Sequence, residues 1–320
     1  MGKATKIWII IAASLVLIGC IVFGGVMSML KWDFTKLSTN KYETSNYEIN
    51  ENFKNISIVT YTAHIVFIVS ENQKSSVDCY EQNNVKHSVT VKDDTLLIEV
   101  FDTRKWYEHI GINFGTPKIT VRLPQGEYGA LLVKSSTGDV ETSKDFTFES
   151  IDISGSTGDV TNYACASEAV KIKTTTGDIS VENISASSLD LSVSTGRVTV
   201  SGASCEGDVK VGVSTGKTNL TNITCKNLNS TGNTGDISLK NVIATERFSI
   251  ERSTGDVKFD GCDAAEIFAE TDTGDVVGTL LSEKVFIPRT DTGKVDVPET
   301  ATGGRCEITT DTGDIKITIN

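Results

Sequence analysis

Histidine is scarce in this chain, and its scarcity argues against several kinds of site. The 320 residues contain three histidines, His64, His87 and His109. None of them stands in a His-Glu-x-x-His motif, and no Cys-x-x-Cys pair accompanies them, so the spacings typical of zinc sites are missing. We therefore expect no histidine-based metal centre from these motifs.

Two patterns resemble catalytic motifs but lack the partners that catalysis needs. Residues 212–216 read Gly-Val-Ser-Thr-Gly, yet a hydrolase nucleophile needs a following helix and a histidine, and every histidine precedes residue 110. Asp-Thr-Gly, the tripeptide of aspartic proteases, occurs at Asp272, Asp291 and Asp311, one repeat apart instead of on two facing lobes. The sequence predicts no catalytic residues, no cofactor and no enzymatic activity.

Cysteine and positive charge are also in short supply. Seven cysteines are too few for a disulfide-built scaffold in 320 residues. Lysine and arginine number 30 against 42 aspartates and glutamates, which gives a formal net charge of −12. Residues 1–132 hold 13 of each sign, so residues 133–320 carry the whole excess, with 17 basic and 29 acidic side chains. An acidic surface repels phosphates, which argues against nucleic acid as a partner.

Only one long apolar run is present. Residues 7–30 carry no charged side chain, and 24 residues are enough to span a bilayer. Lys3 and Lys6 precede the run, which favours a cytoplasmic N-terminus with residues 31–320 outside the cell membrane. We predict an uncleaved membrane anchor. A cleaved signal is one alternative, and a lipoprotein modified at Cys20 is another, because residues 17–20 read Leu-Ile-Gly-Cys, like a lipobox.

What the chain has in abundance is the dipeptide Thr-Gly at regular intervals. Ten copies follow one another 19 or 20 residues apart, with their glycines at Gly138, Gly158, Gly177, Gly196, Gly216, Gly235, Gly255, Gly274, Gly293 and Gly313. A fixed period of this length is typical of a stacked-repeat architecture.

Each repeat also carries a period-two pattern of apolar residues on both sides of the glycine. Nine repeats have an aliphatic residue two positions after it, and Thr218 is the exception; the nine are Val140, Val160, Ile179, Val198, Ile237, Val257, Val276, Val295 and Ile315. The pattern predicts two short half-buried strands per repeat, joined by a turn in which glycine supplies a positive φ.

A single repeat cannot bury its own apolar face, whereas stacked coils with parallel strands about 4.8 Å apart can. We therefore predict an all-β chain with a single N-terminal transmembrane helix, a β-rich cap and a parallel β-solenoid of about ten coils. The predicted division is an anchor over residues 1–30, a stalk over 31–52, a cap or lead-in over 53–132 and the solenoid array over 133–320.

A loop is predicted over residues 102–116, between two strand-like runs of the cap. It contains the aromatic residues Trp106, Tyr107 and Phe114 together with His109. Aromatic side chains on a long loop mark either a binding surface or a contact with the nearby bilayer, or they fold back over the core. We favour folding back over the core of the cap.

The residue after the turn glycine is the main candidate for a binding role within the array. It is Asp in seven repeats and basic in three, at Arg197, Lys217 and Lys294. Stacked carboxylates repel one another unless hydrogen bonds or a cation offset them. We favour hydrogen bonds, and keep a divalent cation as the alternative, with weak metal candidates at Asp272, Asp275, Asp311 and Asp314.

Cys205 and Cys225 occupy the same phase of consecutive coils, nine residues after their glycines. Stacked positions lie near 4.8 Å, which is inside the Cα range of a disulfide. We favour two small buried residues at a corner of the coil, and the disulfide stays open as the alternative.

Together, the anchor, the short β-rich lead and the run of Thr-Gly-Asp-aliphatic coils resemble one bacterial family. It is domain of unknown function 4097, which also carries the label "putative adhesin", and the resemblance covers about residues 50–320. The resemblance implies a cell-envelope protein of Gram-positive type without known catalytic residues. It favours a non-catalytic scaffold or adhesin-like binder, with a protein or cell-wall glycan partner on the solenoid face. The alternative is a regulatory component of an envelope-stress response that acts through the membrane-proximal cap.

The end of the array suggests a further interaction. Residues 314–320 alternate Ile315, Ile317 and Ile319 with polar residues, and we expect them to form the last strand of the stack. An uncovered strand edge is a template for another strand. We therefore expect either self-association through this C-terminal edge or a blunted edge protected by Lys316 and the terminal charge.

Overall fold

The computed structural model describes residues 2–37, 41–106 and 115–320. One α-helix, α1 (Lys3–Met29), is followed by a 3₁₀ turn, Phe34–Leu37. The strands are Tyr42–Ile49 (β1), Asn55–Thr62 (β2), His64–Val69 (β3), Ser75–Gln82 (β4), Val85–Lys92 (β5), Thr95–Asp102 (β6), Lys118–Leu123 (β7), Gly126–Thr137 (β8), Val140–Glu141 (β9), Phe146–Thr157 (β10), Val160–Asn162 (β11), Cys165–Ala166 (β12), Ala169–Thr176 (β13), Ile179–Ala186 (β14), Ser188–Thr195 (β15), Val198–Cys205 (β16), Val209–Thr215 (β17), Thr218–Thr234 (β18), Ile237–Thr254 (β19), Val257–Thr273 (β20), Val276–Leu280 (β21), Lys284–Thr292 (β22), Val295–Asp296 (β23), Gly304–Thr312 (β24) and Ile315–Ile319 (β25).

Each coil contributes one strand before its Thr-Gly turn and one strand after it. The strands before the turn form one parallel stack, the leading stack, in which Ile172 of β13 pairs with Leu191 of β15. The strands after the turn form the trailing stack, in which Ile179 of β14 pairs with Val198 of β16. The strands β18, β19 and β20 are long enough to contribute to both stacks. The parallel β-solenoid and its ten Thr-Gly coils are therefore confirmed.

The turn glycines bring neighbouring coils into direct backbone contact. Gly216 has a φ of 138°, which an L-side chain rarely adopts. A Cβ atom on Gly216 would lie 1.8 Å from the carbonyl oxygen of Gly196 in the preceding coil. Two separate constraints, the backbone conformation and the close approach, therefore require glycine at this position.

The one exception in the aliphatic pattern has a structural explanation. Thr218 is fully buried, and its hydroxyl accepts a hydrogen bond of 3.0 Å from Nη2 of Arg252, a guanidinium that is only 4% exposed. Ser230 accepts a second bond of 3.0 Å from the same nitrogen. Gly232 makes room, because a Cβ there would lie 2.3 Å from Nη1 of Arg252. Position 218 is thus polar because its side chain accepts a hydrogen bond from a buried arginine two coils further along the chain. Burial lowers the pKa of Arg252 to about 10.

The stack continues beyond the Thr-Gly coils into the cap. Strand β2 pairs in parallel with β8, and β6 pairs in parallel with β2, so both extend the leading stack. Strands β3 and β7 extend the trailing stack in the same way. Antiparallel strands then close this end, with β5 against β6, β4 against β7 and β1 against β4.

Strand β1 lies within residues 31–52, which we expected to form a stalk without strand pattern. All eight of its residues pair with β4, from Tyr42 opposite Gln82 to Ile49 opposite Ser75. A strand with only weak alternation is missed by a periodicity argument, because its partner supplies the backbone bonds whatever its side chains are. The division into anchor, stalk, cap and array otherwise stays a proposal.

The expectation that residues 314–320 form the outermost strand is wrong. Strand β25 pairs with β21 along Ile315–Ile319 on one side and with β23 at Ile315 and Lys316 on the other. Strand β24 likewise lies between β20 and β22. The last coil in sequence, β24–β25, is therefore inserted between its two predecessors, and β22–β23 form the outer end of the stack.

Proline and burial explain this exchange. In a central strand every backbone N–H faces a neighbouring strand, whereas at an edge half of them do not, so proline fits an edge strand better. Pro288 lies in the middle of β22, opposite Ile308 of β24. The inserted coil is also the more buried one, since Ile308 is 1% exposed while Val295 on the outer coil is 45% exposed. A buried ion pair of 2.7 Å between Lys284 and Asp263 ties the start of β22 back to β20 across the inserted coil.

Replacing Gly216 by Ala should destabilise the protein by at least about 2 kcal/mol, because Ala adds a strained φ and a clash with the backbone of the preceding coil. Chemical denaturation of the full chain in detergent measures this loss. The control is Gly126→Ala, because a Cβ atom on Gly126 would have no heavy atom within 4 Å. Equal stability of the two variants would contradict the close-contact role of the turn glycines.

The exchanged order of the last coils can be tested by disulfide trapping. Phe268 pairs with Glu307, and Glu307 pairs with Ile287, so Phe268 and Ile287 are two coils apart. Neighbouring coils are about 4.8 Å apart, within disulfide reach, and alternate coils are about 10 Å apart, beyond it. Under mild oxidation, Phe268→Cys with Glu307→Cys should cross-link, and Phe268→Cys with Ile287→Cys should not. Mass spectrometry of the cross-linked peptides identifies which pair has formed. A cross-link between positions 268 and 287, and none between 268 and 307, would show that the coils stack in the order of the sequence.

Candidate functional site

The acidic turn residues form a hydrogen-bonded column along the stack. In each of seven turns one carboxylate oxygen accepts the backbone N–H of the equivalent residue in the next coil, at 2.7–3.3 Å. The acceptors are Asp139, Asp159, Asp178, Asp236, Asp256, Asp275 and Asp314. These hydrogen bonds connect each coil to the next, so the repeated aspartate has a structural task that does not require a ligand.

Two of the four weak metal candidates belong to this column. Asp275 accepts the N–H of Asp314 at 2.8 Å, and Asp314 accepts the N–H of Lys294 at 2.8 Å. Asp272 and Asp311 lie on the exposed side of neighbouring strands. Across residues 2–37, 41–106 and 115–320, the one group of three converging metal-ligating side chains lies in the cap and includes none of these four aspartates. No contact of the described residues thus favours a cation at any of these four aspartates.

The cysteine pair of the array consists of free thiols. Cys205 is 6% exposed and Cys225 is 4% exposed. Burial raises the pKa of the Cys205 thiol to about 11, and burial together with Cys205 and Asp208 raises that of Cys225 to about 12. Thiols this weakly acidic are poor nucleophiles at neutral pH. Both residues thus act as small apolar side chains at the corner of the coil.

The aromatic loop of the cap is only partly described. Tyr107, His109 and Phe114 lie outside the described residues. Trp106 is 79% exposed, and Phe101 on the adjoining strand is 69% exposed. For Trp106, the expected packing over the core of the cap is therefore not observed.

The feature of the array that best suits a ligand is a depression on the outer face of the leading stack. It has a volume of about 330 Å³ and lies across four neighbouring coils; its lining residues are Val59, Thr60, Tyr61, Lys134, Ser135, Ser136, Ser154, Gly155, Ser156 and Lys173. We call it the lysine pocket. None of its lining residues is acidic, although the array as a whole carries the net charge of −12.

Register explains how the two lysines come to face each other across the lysine pocket. Lys134 pairs with Ser154, and Ser154 pairs with Lys173, so a coil with short side chains separates the two ammonium groups. Two coil spacings place their Cα atoms about 10 Å apart. Neither lysine forms an ion pair with another described residue. Two unpaired cations over a floor of serine hydroxyls are suited to an anion that also carries hydrogen-bonding groups.

Tyr61 supplies an aromatic wall at one end of the lysine pocket. It belongs to β2, where its neighbours Val59 and Thr60 pair with Lys134 and Ser135. The side chain of Tyr61 is 52% exposed. An exposed ring with a polar tip beside hydroxyls and cations provides both an apolar contact and hydrogen bonding.

Other depressions on the same face are less suited to a ligand. One is acidic, with Glu251, Glu270 and Asp272 in its wall. Another, of about 600 Å³, contains an Arg247–Glu266 ion pair of 2.7 Å. The aromatic residue beside it, Phe268, has the guanidinium of Arg247 at 4.5 Å and that of Arg305 at 5.5 Å from its ring centre. These charges and ring faces already have protein partners.

The lysine pocket was not predicted from the sequence. Its residues come from four separate segments of the chain, and single lysines on strands are ordinary surface residues. The available signal was the phase of the repeat, because Lys134, Ser154 and Lys173 all stand four residues before their turn glycines. Aligning the repeats by glycine would have placed the two lysines on one face with a serine between them.

Several solved structures share this fold at low sequence identity. A protein described as a "putative lipid binding protein" from Parabacteroides distasonis is 14% identical, with a TM-score of 0.50 over 88% of this chain and 98% of that chain. A "putative adhesin" from the same species is 12% identical, with a TM-score of 0.48 over 87% and 98% of the two chains. A "putative adhesin" from Bacteroides fragilis is 17% identical, with a TM-score of 0.40 over 87% and 97%. At these identities the likeness concerns the fold alone.

A family model covers most of the chain. The model described as Toastrack DUF4097 matches residues 53–212 and 203–320, which together include the coils of the cap and the whole array. No curated protein matches the sequence significantly. The family match confirms the resemblance carried by the Thr-Gly-Asp repeats, and the chain belongs to the Toastrack DUF4097 family.

Proposed function

We propose that this protein is a membrane-anchored extracytoplasmic binding protein without catalytic activity, and that its array holds an anionic saccharide in the lysine pocket. The observation that carries the proposal is the pair Lys134 and Lys173, which face each other across a hydroxyl-lined floor on an otherwise acidic rod. A cell-envelope glycan that bears phosphate or carboxylate groups matches this chemistry. Adhesin descriptions of proteins with the same fold agree with a binding role.

The anchor is the second part of the proposal. Helix α1 has a mean hydropathy of 2.8, and none of its apolar window is buried against the rest of the chain. A membrane anchor and a signal sequence both have these properties, so the choice of an uncleaved anchor is ours. Trp8 and Trp32 stand near the two ends of the helix and are 70% and 61% exposed. Tryptophan at both ends of an apolar helix is typical of the two membrane interfaces.

The regulatory alternative, in which the cap acts in an envelope-stress response, stays an expectation from the family resemblance. No contact of the described cap residues favours it over a binding role.

The anchor predicts that protease added to intact protoplasts removes the array while a cytoplasmic marker survives. Immunoblotting against an epitope in the array follows the digestion, and the same digestion after lysis is the control. An array that survives in intact protoplasts and is degraded only after lysis would place the protein on the other side of the membrane. Loss of residues 1–30 from the mature chain, read by mass spectrometry, would replace the anchor by a cleaved signal.

The lysine pocket predicts that glucose 1-phosphate binds to the full chain more tightly than glucose or inorganic phosphate. Replacing Lys134 or Lys173 by Gln should weaken this binding about five-fold each, since one exposed charge pair contributes roughly 1 kcal/mol. The matched control is Lys171→Gln, because Lys171 lies on the same strand between Asp152 and Asp190 of the adjoining coils. NMR titration at low ionic strength measures the affinities.

Equal losses for Lys171→Gln and Lys173→Gln would show that the net charge matters and the lysine pocket does not. Equal affinities for glucose 1-phosphate and inorganic phosphate would reduce the site to a simple anion site.

A further inference from the structure

Three metal-ligating side chains converge in the cap, outside the site described above. Cys79 and Glu81 lie two residues apart on β4, so both point to the same face of the strand, and His87 follows on β5. Cys79 is 0%, Glu81 1% and His87 4% exposed. Their candidate ligand atoms all lie within 4.8 Å of one another. Buried polar groups gathered this closely need an explanation.

Hydrogen bonds orient Glu81 and His87 toward each other. Oε2 of Glu81 accepts the backbone N–H of His87 at 2.7 Å and lies 2.8 Å from Nδ1 of its ring. Oε1 of Glu81 accepts the hydroxyl of Ser45 at 2.9 Å. On the far side of the ring, Nε2 lies 2.9 Å from the hydroxyl oxygen of Thr60. The imidazole therefore has a hydrogen-bond partner at each nitrogen, and the contact at Nε2 can remain when Nδ1 binds a metal.

The three converging side chains include a buried acidic group. His87 is the one ion-pair partner that the described residues offer to the buried carboxylate of Glu81. The thiol of Cys79, which is fully buried, lies beside this pair, with its sulfur within 4.8 Å of the candidate ligand atoms of both residues. The three side chains are buried together, and buried polar or charged groups are costly unless they have partners.

We propose that Cys79, Glu81 and His87 bind a divalent cation of the zinc class. Sulfur, imidazole nitrogen and carboxylate oxygen together favour zinc over calcium or magnesium, which prefer oxygen ligands alone. On binding, the cation takes the place of the proton between Nδ1 of His87 and Oε2 of Glu81. The Cys79 thiol loses its proton as well, and both protons are released to solvent. The thiolate, the carboxylate and the 2+ cation then sum to zero charge.

The surroundings supply the remaining requirements of such a site. With Nδ1 on the metal, Nε2–H of His87 donates to Thr60 and fixes the tautomer. His87 also lines a depression of about 210 Å³ beside Tyr42 and Gln82, through which a cation or a fourth ligand can enter. The site joins β4 and β5 to Ser45 of β1 and Thr60 of β2, so a bound cation would fasten the antiparallel end of the cap to the first parallel coils.

The test is the metal content of the full chain, purified in detergent, exposed to zinc and dialysed against a weak chelator. We expect about one zinc per chain for the wild type, and an upward shift of the thermal midpoint that a strong chelator abolishes. Cobalt in place of zinc should give a thiolate-to-metal absorption band. Cys79→Ser should lose the band and the bound zinc.

Two controls keep the result specific. Cys262→Ser removes a buried thiol of the array and should keep both the zinc and the band. His87→Gln removes a second ligand and should lose the zinc even if Cys79→Ser fails to fold, with circular dichroism as the check of folding. No zinc retained by the wild type, or the same zinc content in Cys79→Ser and Cys262→Ser, would overturn the proposal.

Discussion

The structure depends on backbone contact between successive coils at their turns. At each Thr-Gly turn the chain passes so close to the coil before it that no Cβ atom fits, as the 1.8 Å distance at Gly216 shows. Because the turns touch, the flanking strands are held at the spacing of a parallel ladder. Except for Val295 on the outer coil, the aliphatic residues two positions after the glycine meet in one continuous core. The carboxylate of the following aspartate then adds a hydrogen bond from coil to coil. Glycine and aspartate in one motif thus set the distance between the coils and hold it.

This division of labour explains why the acidic column does not need a cation. A carboxylate that accepts a neighbouring N–H is stabilised in its charged form, and the positive side chains at three turns interrupt the series. Nζ of Lys217, for example, lies 2.9 Å from Oδ2 of Asp236. Because the aspartates have this task, the charge of the rod is a consequence of its architecture. A binding role is therefore better sought where the charge departs from that rule, as it does between Lys134 and Lys173.

The two ends of the stack are finished in different ways. At the N-terminal end, antiparallel strands of the cap cover the first parallel coils, and the buried Glu81–His87 pair lies where the two arrangements meet. At the far end, the chain first forms the outer coil, β22–β23, and then inserts β24–β25 between that coil and β20–β21. The proline-containing strand β22 therefore lies at the edge. Edge strands that contain proline are poor templates for further strands. The exchange of coils therefore places β24 and the start of β25 inside the stack.

The amino-acid sequence by itself determined the repeat, the two strands per coil and the parallel solenoid, because glycine spacing and period-two alternation are local properties. It also showed Thr218 as an exception without showing why, since the arginine that needs it comes from another coil. The tertiary structure alone decided three things. It placed β24–β25 between earlier coils, because burial and proline compete across the whole end of the stack. It added Tyr61 of β2 to the face that Lys134, Ser154 and Lys173 share. It brought Cys79, Glu81 and His87 together through the pairing of strands whose register no motif recorded. Each of these depends on contacts between segments that are distant in the chain, and such contacts leave no spacing to read.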